Sequence, residues 1–292
     1  MPPFTIPMDQ LANLKMMSFA QKVPYNWQQP VAKPDRDHFV KAFSISEHIA
    51  GAPAVSPKPT QVVGGATTNK YHGDAAKEVS KWYQDFMKEA CDKIKSSMDS
   101  WRPKVKFKSV QVMALSGISS ACLDAPPIKN EPAFSSWKGK EKNAKAYIKA
   151  VAEGFSKNHK EWVDAVTLPG LPLWPAFVAF ALAMAPPMPA IPMPLIAYIS
   201  PKMTKVTMPM ELKKSMVDAL DKGVKDEDGS KDHEKILESI ATATAMAFLS
   251  WLPMQMVLGL LGKGPVPTYA PPYVPVGPVV AGDVLPTPAK FP

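Results

Sequence analysis

More than half of the prolines of this chain lie in two stretches with few or no charged residues, and this arrangement most constrains the fold. The sequence has 292 residues and 33 prolines, roughly twice the ordinary share of proline. Residues 165–201 contain nine prolines and no charged side chain, and residues 264–292 contain nine more prolines. Because proline fixes φ and has no amide donor, we expect 186–194 and 264–292 to be extended. Only 176–185 is long enough without proline to form a short apolar helix.

The region before these stretches has the periodicity of a long amphipathic helix. Over 74–101, apolar side chains recur at spacings of three and four residues, which places them on one helical face. These side chains are Val79, Trp82, Tyr83, Phe86, Ala90, Ile94, Met98 and Trp101. Pro103 is expected to end the helix. Residues 104–114 then alternate apolar and basic side chains, and a phase shift at Ser109 predicts an edge strand or a bulge.

Three further helices are predicted. The first covers 135–166 and has an apolar face opposite a lysine-rich face, although Gly154 weakens it. A short polar helix covers 211–222. A longer helix covers 231–261, is uncharged from residue 239 onward and is interrupted by Pro253.

These patterns predict a mainly α fold with minor β structure, a small helical body and extended proline-rich arms, stabilised by contacts with other subunits. Hydrophobic residues make up 46% of the chain, which is too many for a disordered protein. The predicted segments are an extended amino-terminal arm (1–73), a helical body with a basic face (74–166), an apolar proline-rich segment (167–209), a helical hairpin with an apolar helix (210–263) and an extended carboxy-terminal arm (264–292).

The positive charge is confined to one region. The formal net charge is +8, and residues 102–160 account for all of it with 12 basic and 4 acidic side chains. Such a face can neutralise phosphates, so non-specific contact with nucleic acid is one prediction, although lysine-rich stretches are more often simply solvated. The candidate phosphate contacts are Lys104, Lys106, Lys108, Lys138, Lys140 and Lys142. Only two basic residues are arginine, which argues against reading of base sequence.

No catalytic, cofactor-binding or metal-binding residue is predicted, and we interpret the chain as non-enzymatic. Cys91 and Cys122 form no Cys-x-x-Cys motif, and so few cysteines favour a reducing compartment. The histidines are far apart in sequence and form no metal-binding pair. Residues 226–229 have unsuitable residues at both ends of a calcium loop, and 116–120 lacks the glycine frame of a hydrolase nucleophile. An enzyme would require histidines and carboxylates that converge in one deep pocket.

A membrane-inserting or pore-forming protein is the alternative hypothesis. Residues 239–262 have the length of a spanning helix, although Pro253 and Gln255 interrupt the apolar character. Residues 168–200 could at most form a re-entrant hairpin, because their proline-free part, 176–185, is about half the length that a span needs. The competing interpretation of 239–262 is a helix buried in a protein core or a subunit interface.

The proline-rich stretches carry a resemblance to a protein class. The run Pro-Pro-Met-Pro-Ala-Ile-Pro-Met-Pro at 186–194 and the tail at 270–288 resemble the extended segments of structural proteins in tailed-bacteriophage particles, especially tail and baseplate components. The resemblance implies a non-enzymatic virion subunit, assembled in the host cytoplasm, that binds copies of itself and other subunits through its arms. The candidate interface residues are Tyr269, Tyr273, Val274, Val276, Val279, Leu285, Met188, Ile191 and Met193.

Overall fold

The computed structural model of the chain describes residues 5–19, 66–139, 142–227, 231–270 and 274–285. Within these residues the fold is mainly α with a smaller β part, as predicted. The helices are α1 (Met8–Met17), α2 (Ala66–Trp101), α3 (Pro132–Ser135), α4 (Lys142–Asp164), α5 (Thr204–Thr207), α6 (Pro209–Ala219), α7 (Lys222–Glu227) and α8 (Asp232–Met254). The strands are β1 (Lys106–Phe107), β2 (Gln111–Met113), β3 (Ser116–Ser119), β4 (Leu123–Asp124), β5 (Leu168–Pro172), β6 (Met184–Pro189), β7 (Met193–Pro194), β8 (Met256–Val257), β9 (Leu261–Pro265), β10 (Tyr269–Ala270), β11 (Val274–Pro275) and β12 (Gly282–Val284).

α2 is the long helix that the apolar periodicity predicts. Its buried face contains Phe86, Ala90, Ile94, Met98 and Trp101. The helix begins at Ala66 and not at residue 74, so the last part of the predicted arm 1–73 is helical. Gly73 does not stop it, because a glycine inside a helix costs only about 1 kcal/mol. Residues 1–4 and 20–65 of that predicted arm lie outside the described residues.

Aromatic rings fill the centre of the helical body. α2, α4 and α8 contribute Trp101, Trp162 and Phe248, all fully or almost fully buried. The imidazole of His159 packs among them, with its ring centroid 4.5 Å from that of Trp101 in an edge-to-face arrangement. These contacts explain why helices of ordinary amphipathic composition assemble, because each buried aromatic ring removes a large apolar area from water.

α8 is the central helix of this body. It contacts α1, α2 and α6, and Ile240, Ala243 and Ala247 are fully buried. The helix ends one residue after Pro253, so the predicted continuation to residue 261 is wrong; the following residues form β8 and β9 instead. Among the described helices α8 alone is long and apolar enough to cross a bilayer, and 67% of its most apolar window is buried inside the chain.

Strands from both halves of the chain build a six-stranded antiparallel sheet in the order β5-β3-β2-β12-β9-β6. The region predicted as one irregular strand over 104–114 is divided into β1 and β2, which belong to different sheets. Ser109 separates them with a positive φ of 53°, and this turn is the physical cause of the phase shift in the sequence. β1 pairs with β4 outside the large sheet.

The carboxy-terminal stretch contributes β12 and the end of β9 to this sheet, and β10 and β11 pair with each other beside it, which corrects the expectation of an extended arm from residue 264. β12 lies between β2 and β9, with Gly282 opposite Val112. The prolines of the stretch lie outside β12, so its amides can complete the hydrogen-bond ladder. Residues 286–292 lie outside the described residues.

The short apolar helix predicted over 176–185 is also wrong. A single 3₁₀ turn at Pro175–Val178 is followed by extended chain and by β6, which pairs with β9. An isolated helix of ten residues is only marginally stable. In the sheet, residues of β6 form backbone hydrogen bonds with β9 instead. The predicted extended conformation of 186–194 is present in β6 and β7.

The side chain of Trp174, in the proline-rich segment 167–209, packs against the backbone of the sheet. A Cβ atom at Gly262 would lie 2.7 Å from Cε2 of Trp174, and one at Gly117 would lie 2.9 Å from its Cζ3. The indole N–H of Trp174 donates a hydrogen bond to the carbonyl of Met188 at 3.2 Å. The two glycines are therefore needed because the ring lies directly against the backbone of β3 and β9.

Candidate functional site

Three uncharged segments meet at one end of the sheet. Residues 175–185, 265–270 and 274–281 are joined by backbone hydrogen bonds, including Phe180 N–H to the carbonyl of Gly277 at 2.9 Å and Val266 N–H to the carbonyl of Ala183 at 3.0 Å. Neither 165–201 nor 264–282 contains a charged residue. These three segments are therefore joined by main-chain bonds and contain no charged side chain.

Large apolar side chains are exposed on these segments. Met184 is 62% exposed, Leu182 56% and Tyr269 55%. We call the following set the apolar surface: Val178, Leu182, Met184, Tyr269, Val276 and Val280. Isolated exposed apolar residues are ordinary, but an uncharged concentration of them is typical of an interaction site.

The edges of the sheet are blocked against strand addition. β5 and β6 are the two edge strands. β5 contains Pro169 and Pro172, and β6 contains Pro186, Pro187 and Pro189. Because proline cannot donate to a ladder, prolines on an edge prevent edge-to-edge pairing. A partner at this end must therefore be bound through side chains.

The predicted interface residues fall into distinct environments. Tyr269 and Val276 belong to the apolar surface. Ile191 is exposed between β6 and β7, outside that surface. Val279 is fully buried in the core of its own chain and is not available to a partner, which corrects that prediction. The candidates Met188, Met193 and Leu285 are half-buried. Met188 and Met193 pack against the core of their own chain. Tyr273 and the side chain of Val274 lie outside the described residues.

Sequence reasoning missed Val178, Leu182, Met184 and Val280. The first three lie in the segment that was predicted as a helix, where their exposure could not be assigned. The absence of charge over 165–201 is the one signal in the sequence that marks this region.

Two of the three predicted phosphate contacts between residues 104 and 108 form ion pairs within the chain. Nζ of Lys104 lies 2.6 Å from a carboxylate oxygen of Glu131, whose side chain is buried, and Nζ of Lys108 lies 3.1 Å from Oδ1 of Asp124. Lys104 therefore compensates a buried carboxylate, which is a structural role. Lys106 is exposed and makes no ion pair with a described residue.

A second group of lysines surrounds a groove beside α4. The groove has a volume of about 620 Å³. Its lysines are Lys129, Lys138, Lys145 and Lys149, and none of them forms an ion pair with a described residue. Of the predicted phosphate contacts only Lys138 lies here; Lys140 and the side chain of Lys142 lie outside the described residues. We call this site the basic groove.

Metal and thiol sites require particular arrangements of acidic, histidine and cysteine side chains. There is no group of three His, Cys, Asp or Glu side chains there that could hold a metal ion. Burial raises the pKa of the Cys122 thiol to about 12, and burial together with the charges of Asp9 and Asp92 raises that of Cys91 even further. Both thiols are thus protonated at neutral pH and unreactive.

Two surfaces of different chemistry therefore stand out. The apolar surface is uncharged and lies at one end of the sheet, whereas the basic groove lies on the helical body and is formed mainly by lysines over apolar side chains.

No protein-family model, curated protein or solved structure matches this chain.

Proposed function

We propose that this protein is a non-enzymatic structural subunit of a large multi-subunit particle and that it binds neighbouring subunits through the apolar surface. The observation that carries the proposal is the exposure of Leu182, Met184 and Tyr269 on segments that contain no charged residue. Monomeric proteins rarely leave such a surface uncovered, because burying it against a partner is favourable by roughly 25 cal/mol per Å².

The apolar surface is also suited to binding because it is organised in advance. Main-chain hydrogen bonds connect the segments that present it, and prolines restrict the conformations of the unbound chain. A surface with this little freedom loses little conformational entropy on association. Blocked sheet edges direct the partner to the side chains and so limit uncontrolled strand pairing.

A tailed-bacteriophage tail or baseplate is the particle that the proline-rich runs favour, with assembly in the host cytoplasm. In this proposal the proline-rich sequences at both ends of the chain contact further subunits, identical or different. The membrane-inserting alternative is less favoured. α8 buries most of its apolar window in the core, and 168–200 contains only 3₁₀ turns and short strands.

The test replaces one side chain of the apolar surface by a charge. Leu182→Lys is compared with Leu249→Lys, because Leu249 is similarly exposed, at 55% against 56%, but lies on α8. We expect Leu182→Lys to shift the protein from particles or oligomers to monomers in sedimentation velocity, while Leu249→Lys sediments like the wild type. Far-UV circular dichroism and thermal melting check that both variants fold.

Two results would contradict the proposal. One is equal sedimentation of wild type and Leu182→Lys. The other is flotation of the wild-type protein with lipid vesicles, abolished by detergent, which would support insertion of α8 instead.

A further inference from the structure

The basic groove combines a charged rim with an apolar floor. Residues from the loop around α3 and from the first half of α4 line it. Its floor contains Phe134, Trp137 and Ile148, and its rim contains the four lysines named above. This combination is independent of the apolar surface and of the function proposed for it.

The rim has a large excess of positive charge. Among the described residues that line the groove, Glu153 is the only acidic one, against four lysines. Between residues 132 and 152 the sequence contains one other carboxylate, that of Glu141. Lys145 lies near the amino end of α4, where the unpaired amide groups of a helix add positive potential. Such a concave positive site concentrates anions from solution.

The floor is rigid and mostly engaged in the core. Trp137 stacks on Phe86 with ring centroids 5.9 Å apart, and Phe134 lies 6.0 Å from Phe155. Both side chains are at least nine-tenths buried, so neither ring offers a free face on which a nucleic-acid base could stack. The floor can therefore contact an aliphatic side chain but cannot hold a base.

Trp137 also has an unsatisfied donor. Its indole N–H is buried and has no hydrogen-bond partner among the described residues. An unpaired buried donor is unfavourable by about 1–3 kcal/mol. This nitrogen is shielded from solvent, so the cost belongs to the packing of the floor.

We infer that the basic groove binds an acidic, extended segment of a partner protein that carries an aliphatic side chain next to its carboxylates. The lysines pair with the carboxylates, and the part of the floor that stays exposed, including the half-buried Ala152, contacts the aliphatic group. The volume of about 620 Å³ lies in the range of small-ligand sites and holds a few residues. Nucleic acid is disfavoured because it would use the rim and leave the floor unused.

Fluorescence anisotropy of the full-length protein with a labelled peptide of alternating glutamate and leucine tests this inference. Lys149→Glu is compared with Lys157→Glu, which makes the same charge change at an exposed position of the same helix outside the groove. We expect Lys149→Glu to weaken peptide binding about tenfold, which corresponds to about 1.4 kcal/mol, and Lys157→Glu to change it less than twofold. Thermal melting confirms that both variants are folded.

Two companion peptides and one competitor complete the experiment. A peptide of alternating glutamine and leucine should not bind, and one of alternating glutamate and serine should bind clearly more weakly than the first. The inference is overturned if the two lysine variants lose affinity equally, or if the serine peptide binds as tightly as the leucine peptide. It is also overturned if oligothymidylate binds more tightly than the peptide with the same dependence on Lys149, since the groove would then be a nucleic-acid site.

Discussion

Single residues control how closely the helices approach. Gly154 lies in α4, where the backbone of α6 passes directly beside it. A Cβ atom at this position would lie 2.5 Å from Cα of Met216 and 2.6 Å from its nitrogen. The sequence interpretation of Gly154 as a weakness of the helix is therefore incomplete, because the glycine permits the packing of α4 on α6.

Gly154→Ala is expected to destabilise the protein by about 1–3 kcal/mol, the usual cost of overpacking, although alanine is the better helix former. Chemical denaturation followed by circular dichroism measures the difference. Gly223→Ala is the matched control, since its Cβ would lie 3.5 Å from the nearest heavy atom, in a side chain, and it should be neutral or slightly stabilising. Equal effects of the two substitutions would show that the contact with Met216 does not limit packing.

His159 is the buried titratable group with the clearest consequence for stability. Burial among aromatic rings lowers the pKa of its imidazole to about 3, and its Nε2 has no hydrogen-bond partner among the described residues. The unfolded chain regains the ordinary pKa of about 6.5. Below that pH the unfolded state binds a proton that the folded state does not accept, so folding becomes less favourable as the pH falls.

Because of this difference, the free energy of unfolding of the wild type should fall more steeply than that of His159→Phe as the pH is lowered from about 6.5 to about 4. The difference between the two slopes should be up to about 1.4 kcal/mol per pH unit. Near neutral pH the imidazole is uncharged in both states, and the two proteins should differ by less than about 1.5 kcal/mol. Urea denaturation at a series of pH values tests this. Parallel curves for the two proteins would exclude His159 as the source of acid sensitivity.

At the scale of elements, α1 is held on the body by both apolar and charged contacts. It buries Met8, Ala12 and Met16 against its neighbours, and it packs on α2 and α8. Nζ of Lys15 lies 3.0 Å from Oε1 of Glu238, and Oε2 of the same carboxylate accepts a hydrogen bond from Nζ of Lys213 at 2.9 Å. Glu238 therefore links α1, α6 and α8 through one carboxylate.

Partial burial by itself would raise the pKa of Glu238, but the hydrogen bonds and charges of Lys213 and Lys15 together lower it. Because the pKa of Glu238 is lower in the folded than in the unfolded protein, the ionised carboxylate stabilises the fold. This stabilisation is fully present above the pKa of the unfolded state, about 4.3, and is lost as the pH falls through the pKa of the folded state. Glu238→Gln should thus reduce the melting temperature at neutral pH, and this reduction should shrink as the pH falls below the unfolded pKa of about 4.3. A constant difference at all pH values would show that shape and not charge matters at this position.

At the scale of the whole molecule, the two binding surfaces differ in their expected response to salt. Association through the apolar surface depends on burial of apolar area, so sulfate salts should strengthen it. Binding of the acidic peptide depends on lysines that are exposed to solvent, so it should weaken as ionic strength rises from about 0.01 to 0.15 M. Sedimentation and anisotropy in the same salt series test both expectations, and a common salt response would show that the surfaces do not act separately.

The sequence by itself determined which face of the long helix α2 is buried and where an apolar central helix lies. These features follow from local periodicity, because helical hydrogen bonds join residues close in sequence, whereas the end of α8 at Met254 instead of residue 261 was not predicted. The location of the positive charge and of the uncharged stretches could also be read directly. These features depend on neighbours a few residues away.

The tertiary structure alone decided which extended segments pair and which side chains remain exposed. β12 reaches the middle of the sheet through partners in β2 and β9, and Lys129 joins lysines of α4 at one groove. A strand satisfies its backbone with residues far away in sequence, so alternation and proline content cannot name its partner. For this reason Val279 proved to be core and Leu182 surface, although both lie in apolar, uncharged stretches of the chain.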